Sequence, residues 1–242
     1  MELQANKLED FYTGQIITIN KPANWTSFDI VKKVKSIIEK KVRLSSYTPE
    51  VKRLKVGHAG TLDPLAEGLV IICTGKATKK ITEIQSGEKE YIATIGLGHT
   101  TPSYDLETEY EAEFPTNHIT KEKVLEILKT FIGEQDQIPP IYSAKNINGR
   151  RAYDYARKGD EVKMRPNRIN ISEIELLDYQ LPNIQIRITC GKGTYIRSLA
   201  YDIGKKLNSG GHLTKLIRTQ IGKYSLKNSF DIGDFEKILR PL

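Results

Sequence analysis

One stretch of this 242-residue chain combines residue types that can do chemistry with a backbone that has to hold them still. It is Gly57 to Lys79, GHAGTLDPLAEGLVIICTGKATK. Its carboxylate, Asp63, follows Gly57 and Gly60 and precedes Pro64. Glycine relaxes the backbone limits, and proline pushes the residue before it out of the helical region, so Asp63 is predicted on an irregular, constrained turn. His58 shares the loop. The apolar run Leu69–Cys73 behind it reads as a buried strand, and a rigid strand carrying a polar loop is a common way to build a site. An isolated Asp-Pro is also ordinary turn chemistry, so the rest of the chain has to decide between the two readings.

A second stretch has a different chemistry. From Lys145 to Arg168 there are eight basic and three acidic residues, with Tyr153 and Tyr155 interleaved and Tyr142 just upstream. Cations suit phosphates and aromatic rings stack on unpaired bases, a mixture that fits RNA; an exposed helix with tyrosines on its buried face is the plainer alternative. The third stretch, GKGTYIRSLAYDIGKKL, is a glycine-rich turn opening a helix and carries Arg197. It does not have the spacing of a phosphate-binding P-loop. For Arg197 alone, a surface ion pair with a neighbour such as Asp202 is the plainer reading.

Composition narrows the class. The net charge is +7 with a pI near 9.2. The excess is uneven: residues 1–120 hold 15 basic and 16 acidic residues, and residues 121–242 hold 22 and 14. A basic half points to a polyanion, with nucleic acid the first candidate. Cys73 and Cys190 lie far apart in apolar contexts and read as buried free thiols of a reducing compartment. The four histidines lack paired spacing, which argues against zinc. The N-terminus, MELQANKLEDFYTG, has no apolar signal core, and no apolar run approaches the roughly 18 residues needed to span a bilayer. The expectation is a soluble, cytoplasmic protein.

The elements that must position these residues follow from patterning. Gln15–Asn20 is a predicted strand. Thr26 with Asp29 resembles a capping box, opening a helix whose apolar face is Phe28, Val31, Val34, Ile37 and Ile38. Lys40–Lys55 reads as a solvated loop. A short helix is expected over Thr78–Gln85, a strand over Tyr91–Leu97, an irregular stretch over His99–Thr108, and a helix over Thr120–Phe131. Arg168–Asp178 and Asn183–Cys190 read as two strands. A short helix is predicted from Gly210 through Leu216, then a strand over Gln220–Tyr224. Strands and helices mix without a regular βαβ rhythm, which favours α+β with a central mixed, mostly antiparallel sheet flanked by helices and loops.

Four segments, in order, resemble one family, that of tRNA pseudouridine synthase B. GHAGTLDPLAEGLVIICTGKATK is similar to its GHxGTLDPxAxGxLxxxxGxATK signature. Gly14–Asp29 resembles its GxxxxxKPxGxTSxD opening, IPPIYSAKNINGRRAYDYARKG its PPxxSAxKxxGxxxYxxAR segment, and CGKGTYIRSLAYDIG its CxKGTYIRxLxxDLG segment. The match runs from about residue 14 to 224. Asn24 stands where the opening usually has Gly, Thr108 where Gly is frequent, and the Lys40–Lys55 loop is longer than usual.

The resemblance implies the pseudouridine synthase fold as a single catalytic domain over 1–242. Residues 139–168 would form a thumb-like RNA-binding insertion, and no C-terminal PUA domain is expected, since few residues follow Tyr224. It implies isomerisation of uridine to pseudouridine at position 55 of the tRNA T loop by base flipping. No cofactor is required. The partner is the T-arm stem-loop of tRNA; no membrane and no protein partner are implied, and a monomer is expected. Asp63 is then the essential carboxylate, acting on the sugar or abstracting a proton there. Arg197 would keep it ionised and oriented. Tyr91 would stack on the flipped uracil, with Lys21 and Pro22 behind it. His58 would occupy the space the base leaves, and Tyr195 and Leu216 would line the pocket. Arg150, Arg151 and Arg157 would meet the RNA. A guide-RNA-dependent synthase subunit and a non-catalytic tRNA-folding module are the alternatives.

Overall fold

A computed structural model describes residues 7–239, apart from Asn148 and Glu161. In chain order the first elements are α1 (Leu8–Thr13), β1 (Ile16–Lys21), α2 (Ser27–Arg43), β2 (Val56–His58), β3 (Glu67–Thr74) and α3 (Ile81–Ser86). Next come β4 (Lys89–Leu97), β5 (His99–Thr100), β6 (Ala112–Glu113), α4 (Lys121–Lys129) and β7 (Gly133–Gln137). They are followed by β8 (Asn146–Ile147), β9 (Arg150–Arg151), α5 (Ala152–Ala156), β10 (Asn167–Gln180) and β11 (Asn183–Cys190). The last are α6 (Ile196–Leu207), β12 (Gly211–Ile221), β13 (Tyr224–Ser225), β14 (Phe230–Asp231) and α7 (Ile232–Ile238). This is a mixed α+β protein, as the patterning implied. Glu90–Leu216 forms one compact unit; the chain up to Lys89 and from Ile217 forms the other.

In the unit built from both ends of the chain, the strands run β14, β1, β3 and then the last residues of β12. β3 is the centre. Along one edge it pairs antiparallel with β1, from Ile16↔Cys73 to Lys21↔Gly68. Its other edge is divided. β12 pairs parallel at Glu67 and Gly68, and β2 pairs antiparallel at Ile72, Cys73 and Thr74. The Asp63 loop, Ala59–Ala66, leaves β2 and returns into β3 between them. β3 is buried on both faces, as its unbroken apolar run requires. Leu69, Ile71 and Cys73 pack with Ala59, Ala77 and Ile221 in one cluster, and Val70 and Ile72 fill the other side.

Helix α2 starts on the capping box the sequence implied: Thr26 Oγ1 accepts from Asp29 N at 3.0 Å, and Asp29 Oδ2 accepts from Thr26 N at 3.0 Å. Its buried stripe is Ile30, Val31, Val34, Ile37 and Ile38. Phe28 is not part of it. One position into the helix it points outward, 57% exposed, with Lys32 over its ring, because the stripe phase is set by Ile30 and Val34 four residues apart. The helix also runs on to Arg43, past the expected start of a loop at Lys40.

The other unit carries β4, β11, β10 and β7 in that order, with the first half of β12 beside β4. β10 and β11 form a long antiparallel pair, and β7 pairs with the start of β10. Residues 211–216 are strand, not the predicted helix. The apolar spacing of His212, Leu213 and Leu216 imitates a helical face, but Thr214, Ile217, Thr219 and Ile221 are β-branched and the segment pairs on its edges. Gly222 then turns the chain into β13, so Gln220–Tyr224 is the end of one strand, a turn and the start of another.

Helix α6, which carries Arg197, is seated by two glycine contacts. A Cβ on Gly204 would lie 2.3 Å from the backbone of Gly210, and one on Gly211 would lie 2.7 Å from Ala200 O. Gly204→Ala should therefore push α6 off its seat and destabilise the protein by roughly 1–3 kcal/mol, seen as a lower midpoint in denaturant titration. An unchanged midpoint would show that the helix can move without loss.

Candidate active site

The Asp63 loop is tied down residue by residue within its own unit. Ala59 N donates to Ile71 O at 2.8 Å, extending the β2–β3 ladder by one bond. Ser27, the first residue of α2, holds Leu62 on both sides: Leu62 N donates to Ser27 Oγ at 2.8 Å and Ser27 Oγ donates to Leu62 O at 3.1 Å. Ala66 N donates to Asp63 O at 3.1 Å, closing a turn with Asp at its first position and Pro64 at its second, the places those residues favour. The turn chemistry and the site are thus the same structure.

Two buried cations complete the frame. Arg218, 1% exposed, donates from Nε to Leu69 O (2.8 Å), from Nη1 to Thr61 O (3.3 Å) and from Nη2 to Gly60 O (3.2 Å). Lys21, fully buried, donates from Nζ to Pro22 O, Trp25 O and Pro64 O at 2.9, 2.7 and 3.1 Å. Pro64 O also accepts from Asn24 N at 2.8 Å. Asn24 has φ +65°, in the left-handed region that Asn tolerates, which explains how it can stand where related sequences have Gly. Gly68, φ +103°, lets β3 lie against Arg218, whose backbone oxygen would be 2.4 Å from a Cβ there.

His58 ends β2, half-buried. Burial pushes its imidazole below the ordinary 6.5, opposed by the Gly60 backbone and reinforced by Arg218, so it is neutral at physiological pH. Pro22 and Lys21 follow directly at the end of β1 and line a cavity of about 420 Å³ with Asn20, Glu67 and Asp231.

The other predicted residues belong to the Glu90–Leu216 unit. Arg197 is 5% exposed on the first turn of α6. It is no surface pair with Asp202: its Nε lies 3.5 Å from Asp105 Oδ2, with Asp105 equally buried, and its Nη1 donates to Ser103 O at 3.1 Å. Asp105 is held in turn. Its Oδ1 accepts from Glu107 N at 2.9 Å, and its backbone oxygen accepts from Thr101 Oγ1 and Ser103 Oγ. The stretch His99–Thr108, irregular after His99–Thr100 as expected, cradles a guanidinium. Tyr195, the residue before α6, is gripped through its backbone by the Gln137 amide, which donates to Tyr195 O at 3.0 Å and accepts from Tyr195 N at 2.8 Å. Tyr91 on β4 and Leu216 on β12 are both buried.

Arg150 and Arg151 form one arm of a two-residue ladder with Asn146 and Ile147 and are exposed. Arg151 Nη1 donates to Ala144 O at 2.7 Å. Arg157 lies over the Tyr153 ring and 3.5 Å from Glu107. The described residues contain no cluster of metal-ligating side chains and no helix long and apolar enough to cross a membrane. Both cysteines are buried and neither forms a disulfide.

Arg218, Asp105, Ser27 and Gln137 were not singled out by sequence reasoning. Each acts on backbone or on another side chain, and nothing in its local spacing announces that. Arg218 alternates with Thr214, Leu216 and Gln220 on its strand, so its neighbours do not mark it as buried.

Burial lowers the Lys21 ammonium from 10.5 to about 8; Asp63 and Glu67 oppose the shift and Arg218 adds to it. Between about pH 8 and 10.5 the unfolded chain holds a proton the folded chain has released, so this group's contribution to stability rises with pH through that window. The melting temperature of wild type minus that of Lys21→Met should rise by roughly 5–10 °C between pH 7.5 and 10. A pH-independent difference would give Lys21 an ordinary titration.

Comparison with known proteins agrees with these features. Residues 48–196 match the model of the TruB family pseudouridylate synthase (N terminal domain). The tRNA pseudouridine synthase B of Parabacteroides distasonis is 55% identical over 90% of this chain and 89% of its own length. That of Flavobacterium johnsoniae is 51% identical over 96% and 99%. A chain from the crystal structure of a Cbf5-Nop10-Gar1 complex superposes with a TM-score of 0.70 at 26% identity, over 96% of this chain and 56% of that one, so this chain spans about half its length. The family match, the identities and the shared fold lead to one conclusion: the chain belongs to the TruB family of pseudouridylate synthases.

Proposed function

We propose that this protein isomerises uridine to pseudouridine in the T loop of tRNA, at position 55, with Asp63 as the catalytic carboxylate. The observation that carries the proposal is a loop whose backbone is fixed from Ala59 to Ala66, presenting Asp63, in a chain whose relatives along nearly their whole length are named tRNA pseudouridine synthase B. The reaction breaks the glycosidic C–N bond, turns the uracil over and forms a C–C bond, with no net oxidation and nothing consumed. A positioned carboxylate serves either route open to it, attack at the sugar or proton abstraction there. Such steps depend on position to within an ångström, which the fixed backbone supplies.

In this reading Arg197 pairs with Asp63 during the reaction, and Tyr91 stacks on the extracted base, with Lys21 and Pro22 supporting it. His58, neutral, fills the space the base vacates, and Tyr195 and Leu216 border the base. The target is stacked in the T loop and has to be extruded, at a cost of a few kcal/mol. Residues 139–168 meet the RNA backbone, where Arg150 and Arg151 are exposed and the cation-bearing ladder suits phosphate. The protein acts alone, as a single catalytic domain in the cytoplasm.

Asp63→Asn keeps size and turn geometry and should fold, bind tRNA and form no pseudouridine in a single-turnover assay. Arg197→Lys should be severely impaired, since it loses the planar fork. Arg197→Met combined with Asp63→Asn should cost almost no further rate, because residues acting as a unit are non-additive. It should nonetheless lower stability by about 3–5 kcal/mol in either background, because Asp105 is left buried and unpaired. Wild-type-like turnover by Asp63→Asn would refute the enzymatic reading.

The binding surface has its own test. Neutralising Arg150, Arg151 and Arg157 together should flatten the dependence of log affinity on log salt by about two units, each lost phosphate contact removing about 0.7–0.9. An unchanged slope would remove this segment from the RNA interface.

A further inference from the structure

We propose that Arg218 is a positioning residue for the reaction: from beneath the Asp63 loop, its guanidinium fixes the backbone that carries the carboxylate. The inference rests on the reading of Asp63 as the catalytic group.

One edge of β3 is divided between two partners. Between its pairing to β12 at Gly68 and to β2 at Ile72, no strand among the described residues pairs with this edge, and the loop fills the interval. The buried Leu69 carbonyl therefore needs a donor from elsewhere, since a buried carbonyl left unpaired is costly, and the carbonyls of half-buried Gly60 and exposed Thr61 are within reach of the same donor. Arg218 supplies all three from one planar group. Its main chain is pinned by pairing with Gly68, where the positive φ and the missing Cβ allow the approach. The side chain thus has a fixed origin, a rigid fork and three fixed acceptors.

The position of those acceptors gives the arrangement its meaning. Gly60 and Thr61 precede Asp63 by three and two residues, and the second buried cation, Lys21, holds the carbonyl of Pro64 immediately after it. Asp63 stands between the two attachments. A side chain that only filled space here could be aliphatic, as Leu69 and Ile71 of the same unit's core are. A fully charged group with 1% exposure is costly unless its donors are used, and the three bonds to carbonyls use them. The reading beyond this is kinetic: release of the Gly60–Thr61 limb lets the carboxylate drift, and a displacement of about 1 Å can cost about 100-fold in rate.

Arg218→Lys is the deciding variant, because it keeps the charge and loses the three-point fork; Arg218→Met removes both. The readouts are single-turnover pseudouridine formation at saturating tRNA, the Kd for tRNA, thermal melts, and amide exchange at Ala59, Leu62 and Ala66. For Arg218→Lys, the expected result is about a 100-fold slower single-turnover rate with Kd within about threefold of wild type. Those three amides should exchange at least about tenfold faster, while the β10–β11 pair exchanges as in wild type. The loss should persist on cooling to a temperature at which the variant is fully folded.

A folded Arg218→Lys with a rate within threefold of wild type would overturn the inference. So would a loss that disappears on cooling, or a Kd that rises in step with the fall in rate. If Arg218→Lys does not fold at any temperature, Arg218 serves stability and the inference fails. Should wild type itself form no pseudouridine in T-loop RNA, the functional reading fails instead, and the exchange data still report whether Arg218 holds the loop.

Discussion

The structure of the first unit depends on one constraint: the central strand β3 has an edge that changes partner. β12 takes its first two residues and β2 its last three, and the interval is closed by a loop, not by a strand. A loop in that place leaves carbonyls without the ladder that would normally satisfy them. The solution is a set of donors from three separate parts of the chain: Arg218 from β12, Lys21 from the end of β1, and Ser27 from the start of α2. Each is placed by an element with its own reason to exist. The strand that ends at Lys21 pairs with β3 throughout, and the helix that starts at Ser27 is fixed by the Thr26–Asp29 box. The loop inherits the rigidity of all three.

The same principle recurs in the second unit with the roles reversed. There the cation is the group being positioned. Arg197 sits on the first turn of α6, and α6 is held at one end by Gln137 and Ser198 and at the other by the contacts of Gly204 with Gly210 and Gly211. Asp105 and the Ser103 carbonyl then hold the guanidinium itself. A buried pair of this kind adds little net stability over an apolar replacement, yet breaking it is costly. Its value lies in direction: a guanidinium whose Nη1 donates to the Ser103 carbonyl, with its Nε 3.5 Å from a buried carboxylate, is confined in orientation.

Legibility in the sequence followed the range of the interaction. Asp63, the capping box and the strand behind the loop could be read because glycine, proline, threonine and an apolar run act within a few residues of themselves. The phase of α2 was misjudged at Phe28 because a helix's first turn offers too few positions to fix an angle. The strand at 211–216 was misjudged because its apolar spacing was compatible with both periods, and its pairing partners lie more than 100 residues away. Arg218 and Asp105 were invisible for a related reason. Their partners are backbone carbonyls or a residue 92 positions distant, and no local spacing encodes a carbonyl that has lost its neighbour to a change of strand. The four-segment resemblance singled out Arg197 as a partner for Asp63, although its own surroundings in the sequence pointed to a surface pair.

The choice of carbonyls as partners for the two cations of the loop also has a consequence for charge. Had Arg218 and Lys21 been matched by carboxylates, the loop would sit in a neutral salt-bridged interior. Their three bonds apiece go instead to neutral oxygens, so the region keeps a positive character felt by its titratable neighbours. Arg218 lowers both His58 and Lys21, and Asp63 raises Lys21 in return. Both cations are bonded to the loop on either side of Asp63. The RNA substrate of a pseudouridylate synthase brings a dense array of negative charge. Cations that are buried, and committed to the backbone, cannot be drawn off by phosphate as exposed lysines would be. The positive floor and the fixed loop are therefore one device: the bonds that hold the backbone also hold the charges in place beneath Asp63.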